Sequence, residues 1–484
     1  MAVQSIILAA GQGKRMFSDL PKVLHRIGPC SLLEHAWRVA AAVSEAKPII
    51  VIGHGAEQVQ KTLGHLPTGW VMQERQLGTG HAVQQAMPGV DPQDIALILY
   101  GDVPLLRAET LRELTAIAAA GRFALLTVEL DDPAGYGRIV RGTDGRVVRI
   151  VEEKDAAPEE QRIREINTGI MAVGAESLNG WLAQLDNRNS QGEYYLTDVI
   201  ELAVRDGLTV QTVFAPYELD VAGVNDRAQL ARLERAYQAR MAADLMARGV
   251  TLRDPARLDV RGEVELLGRD IEVDVDVIFE GWVRLGGGVK IGAHSIIRDA
   301  EIGEGAEILS HCVIENAVIG AGSRVGPFAR LRPDTNLAEG VHIGNFVEIK
   351  KSQVGPGSKI NHLSYVGDCT VGSGVNVGAG TITCNYDGVN KHRTVIEDGA
   401  FIGSNTQLVA PVRVGKNATI GAGSTVTKDA PPDTLTLSRA RQVSVDGWKR
   451  PQKPSPQPSP EPSPRPLPEG EGVSRFGRGG TEGE

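Results

Sequence analysis

The sequence predicts two architectures in one chain: an α/β domain on a mostly parallel sheet, then a triangular prism of short parallel strands. Three observations predict it. First, from about Ile271 to Val426 apolar residues fall on a six-residue beat, as at Ile402, Leu408, Val414, Ile420 and Val426. The same beat runs from Ile319 through Val325, Leu331, Leu337 and Ile343 to Ile349, with five-residue pauses elsewhere, as between Ile314 and Ile319. Second, glycine often follows the beat, as in Ile343-Gly344, Val377-Gly378 and Ile420-Gly421. A helix repeats its apolar face near 3.6 residues and an ordinary strand every second residue, so neither gives a six. One flat face per hexad with a corner beside it does, and three faces close a coil of about 18 residues stacked at the strand spacing. Third, residues 1 to about 225 alternate short apolar runs with helical patterns. That argues for a parallel sheet covered by helices, with ligands at the carboxyl ends of its strands.

Composition agrees. At 484 residues, two or more domains are expected. Hydrophobic residues make up 42%, enough for real cores, while only 4% are aromatic, which suits a solenoid filled by Val and Ile. The net charge of -9 argues against a nucleic-acid surface. Cys30, Cys312, Cys369 and Cys384 form no CxxC spacing and fit reduced thiols of a cytoplasmic protein better than a disulfide or zinc framework. No apolar run approaches the ~18 residues of a membrane span, and the first residues carry no signal-peptide pattern.

In the first domain the strand candidates are Ser5–Leu8, Ile49–Ile52, Ile95–Leu99 and Ala124–Val128. A helix is expected over Ser31–Ala46, where Ser31 and Glu34 have capping-box spacing. The first strand runs into Leu8-Ala9-Ala10-Gly11-Gln12-Gly13-Lys14-Arg15-Met16, followed by Pro21-Lys22. Glycines there let backbone N–H groups approach phosphate, and Arg15 and Lys22 supply charge where pyrophosphate builds up. A lone GxG more often marks only a tight turn; the whole string is far more specific. The buried run Ile95–Leu99 leads into Tyr100-Gly101-Asp102. An isolated Asp there would cap a turn, but after a phosphate loop it looks like a ligand for Mg²⁺, which takes few protein oxygens.

Residues 225–249 read as one long helix: Asp226 can cap it, Leu230, Leu233, Tyr237 and Met241 repeat at three and four, and Gly249 ends it. The domain boundaries expected are 1–225, a linker helix 226–249, the prism 250–450 and a tail 451–484. The tail's Pro-Ser-Pro repeats cannot bury enough apolar surface to fold, so disorder is expected. Inside the prism, Cys384–Arg393 breaks the beat as a loop leaving one face, and such insertions carry function. Just before it, His362 stands two residues beyond the core beat Ile360. A lone His is more often structural or solvated. This one accompanies Arg332, Lys350, Tyr365, Asn376 and the Asn385-Tyr386 pair.

The string from Leu8 to Lys22 resembles the signature of sugar-nucleotide pyrophosphorylases, with Lys14 a departure where that family often has Thr. The hexad region resembles the left-handed parallel β-helix of hexapeptide-repeat acyltransferases, and its handedness is taken from that likeness alone. Two further strings, Phe328-Ala329-Arg330-Leu331-Arg332-Pro333 and Gly378–Gly388, extend the match to roughly residues 3–450. There the chain resembles the family of bacterial bifunctional N-acetylglucosamine-1-phosphate uridylyltransferase/glucosamine-1-phosphate N-acetyltransferases.

The resemblance implies an α/β nucleotidyltransferase domain with a Rossmann-like mixed sheet, joined by a long helix to the β-helix of hexapeptide repeats. It implies that UTP and the sugar are held by Leu8, Ala9, Ala10, Gly11, Arg15, Lys22, Gln73, Gly78, Thr79, Tyr100, Gly101, Asp102, Gly137, Glu152, Asn167 and Asn225. Within that set Gln73 reads the uracil edge, and Asp102 and Asn225 hold Mg²⁺. In the prism it implies that Arg332, Lys350, Tyr365 and Asn376 bind glucosamine 1-phosphate. Ala379, Asn385, Tyr386, Ser404, Ala422 and Arg439 bind acetyl-CoA, and His362 is the catalytic base. The base type fits, since a sugar amine must lose a proton to attack a thioester and His titrates near neutral pH. The product, UDP-N-acetylglucosamine, would feed peptidoglycan and lipopolysaccharide precursors, and the family is a homotrimer with the acetyl site shared between subunits. Two alternatives are a single nucleotidyltransferase whose prism only assembles it, and a non-catalytic scaffold. The His362-to-Tyr386 constellation speaks against the first; Arg15, Lys22, Asp102 and Asn225 speak against the second.

Overall fold

The computed structural model describes residues 1–453; from residue 454 onward the expected disordered tail lies outside the described residues. The first domain is a nine-stranded sheet. Its strands are β1 (Val3–Ala9), β2 (Ile49–Ile52), β3 (Gly69–Met72), β4 (Ile95–Tyr100), β5 (Phe123–Glu129), a hairpin of β6 (Arg138–Arg141) and β7 (Val147–Val151), β8 (Glu165–Gly174) and β9 (Val210–Phe214). The order is β9-β5-β8-β4-β1-β2-β3, with β6 and β7 branching from β8. Every pair on this path is parallel except those of β8, which is antiparallel to β4 and β5. Helices α1 (Leu32–Ala41), α2 (Ala56–Leu63), α3 (Thr79–Ala86), α4 (Ala108–Ala119), α5 (Ala175–Leu182) and α6 (Asp198–Arg205) bury apolar faces on the two sides.

Helix α1 starts as its capping pattern requires, with the Ser31 hydroxyl accepting from the Glu34 amide at 3.2 Å. It stops five residues short of Ala46. Ser44 and Glu45 turn away to β1 instead: the Ser44 and Ser5 hydroxyls pair, and Glu45 accepts from the Val3 amide at 2.7 Å.

Helix α7 (Arg227–Ala247) follows, capped by Asp226 accepting from the Gln229 amide at 2.8 Å. It is buried at both ends against different cores. Leu233 packs with Met16, Ile27, Leu32, Leu105 and Val224, while Ala242 and Leu245 enter the core of the prism.

The prism is a parallel β-helix. One face is an eleven-stranded parallel ladder from Thr251–Leu252 to Leu435–Thr436. The other two faces share long bent strands in the first coils, Leu258–Leu266, Val277–Leu285, Ile296–Ile302 and Val313–Ile319. They then divide into Arg330–Leu331 and Thr335–Leu337. From Val277 to Ile382 register partners lie 17 or 18 positions apart, as Ile314 with Leu331 and Leu331 with Ile349, so a five-residue pause simply shortens a coil. The beat residues from Ile302 to Val426 are at most 4% exposed and form one core cluster, apart from the polar Thr383, itself buried.

Corners need a left-handed residue, and many are not glycine. Asp276, His294, His311, Phe328, Phe346 and Leu363 all have positive φ. On that corner His294, His311, Phe328 and Phe346 stack ring on ring at 4.7–5.3 Å. Since each inward side chain is packed by the coils above and below, Ile343→Ala should destabilise the prism by about 2–5 kcal/mol. The exposed Glu339→Ala should change stability by about 0.5 kcal/mol or less. Urea unfolding followed by circular dichroism checks both.

Candidate active sites

The carboxyl ends of β1 and β4 open into a cavity of about 320 Å³. Its walls bring together Leu8, Ala9, Ala10, Gly11, Lys22, Gln73, Gly78, Thr79, Tyr100 and Asp102, residues from four separate stretches of sequence. Gly101 ties two of these ends, its amide donating to the Leu8 carbonyl at 2.9 Å. Arg15 lies on the exposed side of the loop and makes no ion pair among the described residues. Lys22 is half-enclosed: its Nζ sits against an Asp102 carboxylate oxygen and 3.3 Å from Asn225 Oδ1. Asn225 is delivered there by its flanks, Val224 donating to the Asp102 carbonyl at 3.0 Å and the Asn225 amide donating to Gln229 Oε1 at 2.7 Å.

The sugar-side candidates lie next to this cavity. Glu152, with Gly135 and Tyr195, lines a neighbouring cavity of about 510 Å³. Glu152 accepts from the Thr197 hydroxyl at 3.0 Å, and its oxygens lie close over Gly137. Asn167 accepts from the Gly169 amide at 2.9 Å, at the point where β8 breaks register against β5. Such bulges re-aim side chains beside sites. Gly169 has φ +80 and a Cβ there would stand 2.4 Å from the Tyr100 ring, so only glycine lets Tyr100 lie flat against the bulge. Burial first, then the charges of Glu152 and Asp102, hold the Tyr100 phenol protonated well above its usual range.

The prism site is built on the corner between the first and second faces. His362 is exposed, and its Nδ1 lies 2.9 Å from Asn345 Oδ1, its register partner one coil back. When that amide oxygen accepts from Nδ1, Nε2 is left with its lone pair, the tautomer a general base needs. On the second face Arg332, paired with Glu348 at 2.7 Å, stands beside Lys350 and Tyr365. Lys350 has its amine pKa lowered chiefly by the neighbouring Lys391, whose like charge disfavours a second ammonium beside it. That crowding of cations marks a seat for an anion. Asn385 bonds Asp368 at 2.5 Å and reaches the Tyr365 hydroxyl at 3.5 Å. Tyr386 bridges to Lys391 across the insertion.

Ala379, Ser404 and Ala422 continue the His362 column coil by coil, and Arg439 Nη1 donates to the Ala422 carbonyl at 3.0 Å. Asn376 is not brought to the second face; it stands on the first, paired with Lys359 and Phe401. Cys384 is half-buried and its thiol pKa is raised by burial, the opposite of an activated nucleophile.

Sequence reasoning passed over Asn345, Lys391 and Thr197. Asn345 could have been found, because it precedes His362 by one coil length. Lys391 lies in the insertion, where no period applies, and Thr197 reaches Glu152 across a gap that spacing does not predict.

Beside Glu152, Asp198 has its carboxyl pushed up to about 6, by burial first and then by Glu152, Glu201, Asp186 and Asp155. The folded protein therefore holds an extra proton there between about pH 4 and about pH 6, and stability falls as pH rises through that window. Asp198→Asn should raise the melting temperature at about pH 8 and give no gain near pH 3.5, as thermal melts at both pH values would show.

Comparison with known proteins covers both domains. Residues 5–167 match the MobA-like NTP transferase domain, 263–351 the GMPPB C-terminal domain, and 393–428 the bacterial transferase hexapeptide (six repeats). Bifunctional protein GlmU of Methylococcus capsulatus is 62% identical over 453 residues, covering 94% of this chain and 98% of the relative. Its namesake from Nitrosospira multiformis is 55% identical over 453 residues, covering 93% and 98%. That of Azoarcus sp. is 56% identical over 451 residues, covering 93% and 100%. A solved nucleotidyl transferase from Methanothermobacter overlaps 49% of this chain and 97% of its own at 17% identity and a TM-score of 0.35, too slight to bear on the fold. With a nucleotidyltransferase sheet and a hexapeptide prism in one chain, and the likeness running through both, this chain belongs to the GlmU family of bifunctional transferases.

Proposed function

We propose that the two sites divide the synthesis of UDP-N-acetylglucosamine between them. The prism acetylates glucosamine 1-phosphate from acetyl-CoA, and the sheet domain then couples N-acetylglucosamine 1-phosphate to UTP with loss of pyrophosphate. The functional division follows residues 1–225 and 250–450, with 226–249 as the tie.

One observation carries the first site: Lys22 Nζ lies against oxygens of both Asp102 and Asn225. Two hard oxygen donors from distant stretches already converge on one cation, a donor set that suits Mg²⁺. Bound there, Mg²⁺ would neutralise triphosphate charge as pyrophosphate departs. The chain's own groups do the positioning. Backbone N–H groups of the Leu8–Arg15 loop, with Arg15 and Lys22, hold the phosphates. Gln73 reads the base. Tyr100, Gly137, Glu152 and Asn167 orient the sugar so that its phosphate oxygen meets the α-phosphorus in line.

In the prism, Arg332, Lys350 and Lys391 hold the sugar phosphate and Tyr365 flanks the sugar, with Asn385 and Tyr386 beside it on the acetyl-CoA side. The His362 Nε2 lone pair takes the amine proton as nitrogen attacks the thioester carbonyl, and the thiolate of CoA leaves. The column Ala379, Ser404 and Ala422, ending at Arg439, supports the acetyl-CoA arm. Asn376, standing on another face, supports a site completed by a neighbouring copy, and the exposed Phe328, Phe346 and Leu363 support self-association as a homotrimer. Four unpaired cysteines support a reducing, cytoplasmic setting; among the described residues no helix is long and apolar enough to cross a membrane.

Two substitutions test the division. Asp102→Ala should abolish pyrophosphate release and spare CoA release. His362→Ala should lower CoA release by roughly 10²–10⁴-fold and leave pyrophosphate release unchanged. Both products are followed separately with UTP, Mg²⁺, acetyl-CoA and each sugar phosphate. Equal loss of both activities in a folded variant would refute the two-site assignment.

A further inference from the structure

We propose that His81, acting with the Gly78 carbonyl, sets the base specificity of the uridylyl site by holding one end of the Gln73 amide away from the base. The inference rests on the reading of Gln73 as the base-contacting residue and adds to it the group that makes that contact selective.

Gln73 is only 3% exposed, yet it lines the cavity. Its backbone amide is anchored to the Ile52 carbonyl at 2.8 Å. Its side-chain Nε2 lies 3.1 Å from the Gly78 carbonyl oxygen and 3.0 Å from His81 Nδ1. A backbone carbonyl only accepts, so the atom facing Gly78 must be the NH₂ group. Its second hydrogen then points at His81 Nδ1, which must hold a lone pair. The ring proton sits on Nε2, 3.3 Å from the half-buried Gln85 amide, which is free to turn its oxygen toward it.

The backbone that carries the ring is held in place. His81 stands in the first turn of α3, and that turn is clamped: the Gly80 amide donates to the Tyr194 carbonyl at 2.8 Å. Gly78 has φ +111, and a Cβ there would meet the same carbonyl at 2.5 Å, so the loop that presents its own oxygen to Gln73 depends on glycine.

With both amide hydrogens committed, Oε1 is the group left for a ligand, and it accepts no hydrogen bond among the described residues. An amide oxygen accepts from the N3–H of uracil. Cytosine offers a lone pair at that position, and the two acceptors would face each other unpaired. A site built to bond one polar group rejects the analogue that lacks it far better than an apolar pocket rejects a size change. His81 touches no substrate, so it is a positioning residue.

The test compares kcat/KM for UTP and CTP in the full-length protein. Asn places its side-chain oxygen about where His Nδ1 stands, whereas Gln places it about where Nε2 stands, and Leu has no acceptor. His81→Leu and His81→Gln should lower the UTP:CTP ratio about fivefold to tenfold, since one of two anchors on the amide is lost. His81→Asn should keep the wild-type ratio even if its overall rate falls. An unchanged ratio in a folded Leu or Gln variant overturns the proposal, and so does an Asn variant that behaves like Leu. If the Leu variant does not fold, the Asn and Gln pair decides alone. Failure of the underlying reading looks different: Gln73→Ala would then leave the UTP:CTP ratio of the folded protein unchanged.

Discussion

Closure of the coil is the constraint on which the second half of the molecule depends. Each turn must return three inward side chains to the same three columns, and it must bend the backbone left-handed between faces. The inward requirement explains the Ile, Val and Leu ladder and its single merged core. The bending requirement explains why Asp, His, Asn and even Phe hold positive φ at the corners, where L-residues normally lose about 1 kcal/mol or more. Those residues are over-determined by the hydrogen bonds of the coils above and below. Chemistry is then placed for free on the outward positions, because any residue one coil apart becomes a neighbour. Asn345 beside His362, and Ala379 above it, follow from that arithmetic rather than from local sequence.

The same arithmetic explains what could be read from the chain. Strict periods were legible: the hexads, the long helix α7 and the capped start of α1 all appear as expected. The strands seen in advance were the continuous apolar ones, Val3–Ala9, Ile49–Ile52, Ile95–Tyr100 and Phe123–Glu129, which are buried almost throughout. Those missed were the partly exposed edge strand Gly69–Met72, the hairpin at Arg138–Val151, the bulged Glu165–Gly174 and the edge strand Val210–Phe214. Half-buried or bulged strands lose the simple pattern, and tertiary pairing decides them. Helix α1 was overextended because Ser44 and Glu45 suit a helix by composition, while their contacts to β1 are invisible in sequence.

The two sites look unlike one another but solve the same problem. In each, a residue assigned to the chemistry or to recognition is held by a neighbour that lies outside that assignment. Asn345 turns His362, Gln229 holds Asn225, and His81 holds Gln73. Motif reading finds the group that is aimed, since its chemistry is recognisable. The group that aims it is an ordinary Asn, Gln or His, identifiable only once the backbone brings the pair within bonding distance.

The insertion at Cys384–Arg393 has an evolutionary consequence. Val371 pairs with Ile396 and Val377 with Ile402, each 25 positions on, yet the next coils resume their normal phase from Ile402 to Ile420. A coil therefore carries an excursion of arbitrary length without passing the error forward. In a sandwich or a barrel, an added segment must be absorbed by partners fixed elsewhere in the fold. Here the scaffold works like a ruler that restarts at every turn, so selection can lengthen, shorten or rewrite the loop while leaving the rod that carries it unchanged.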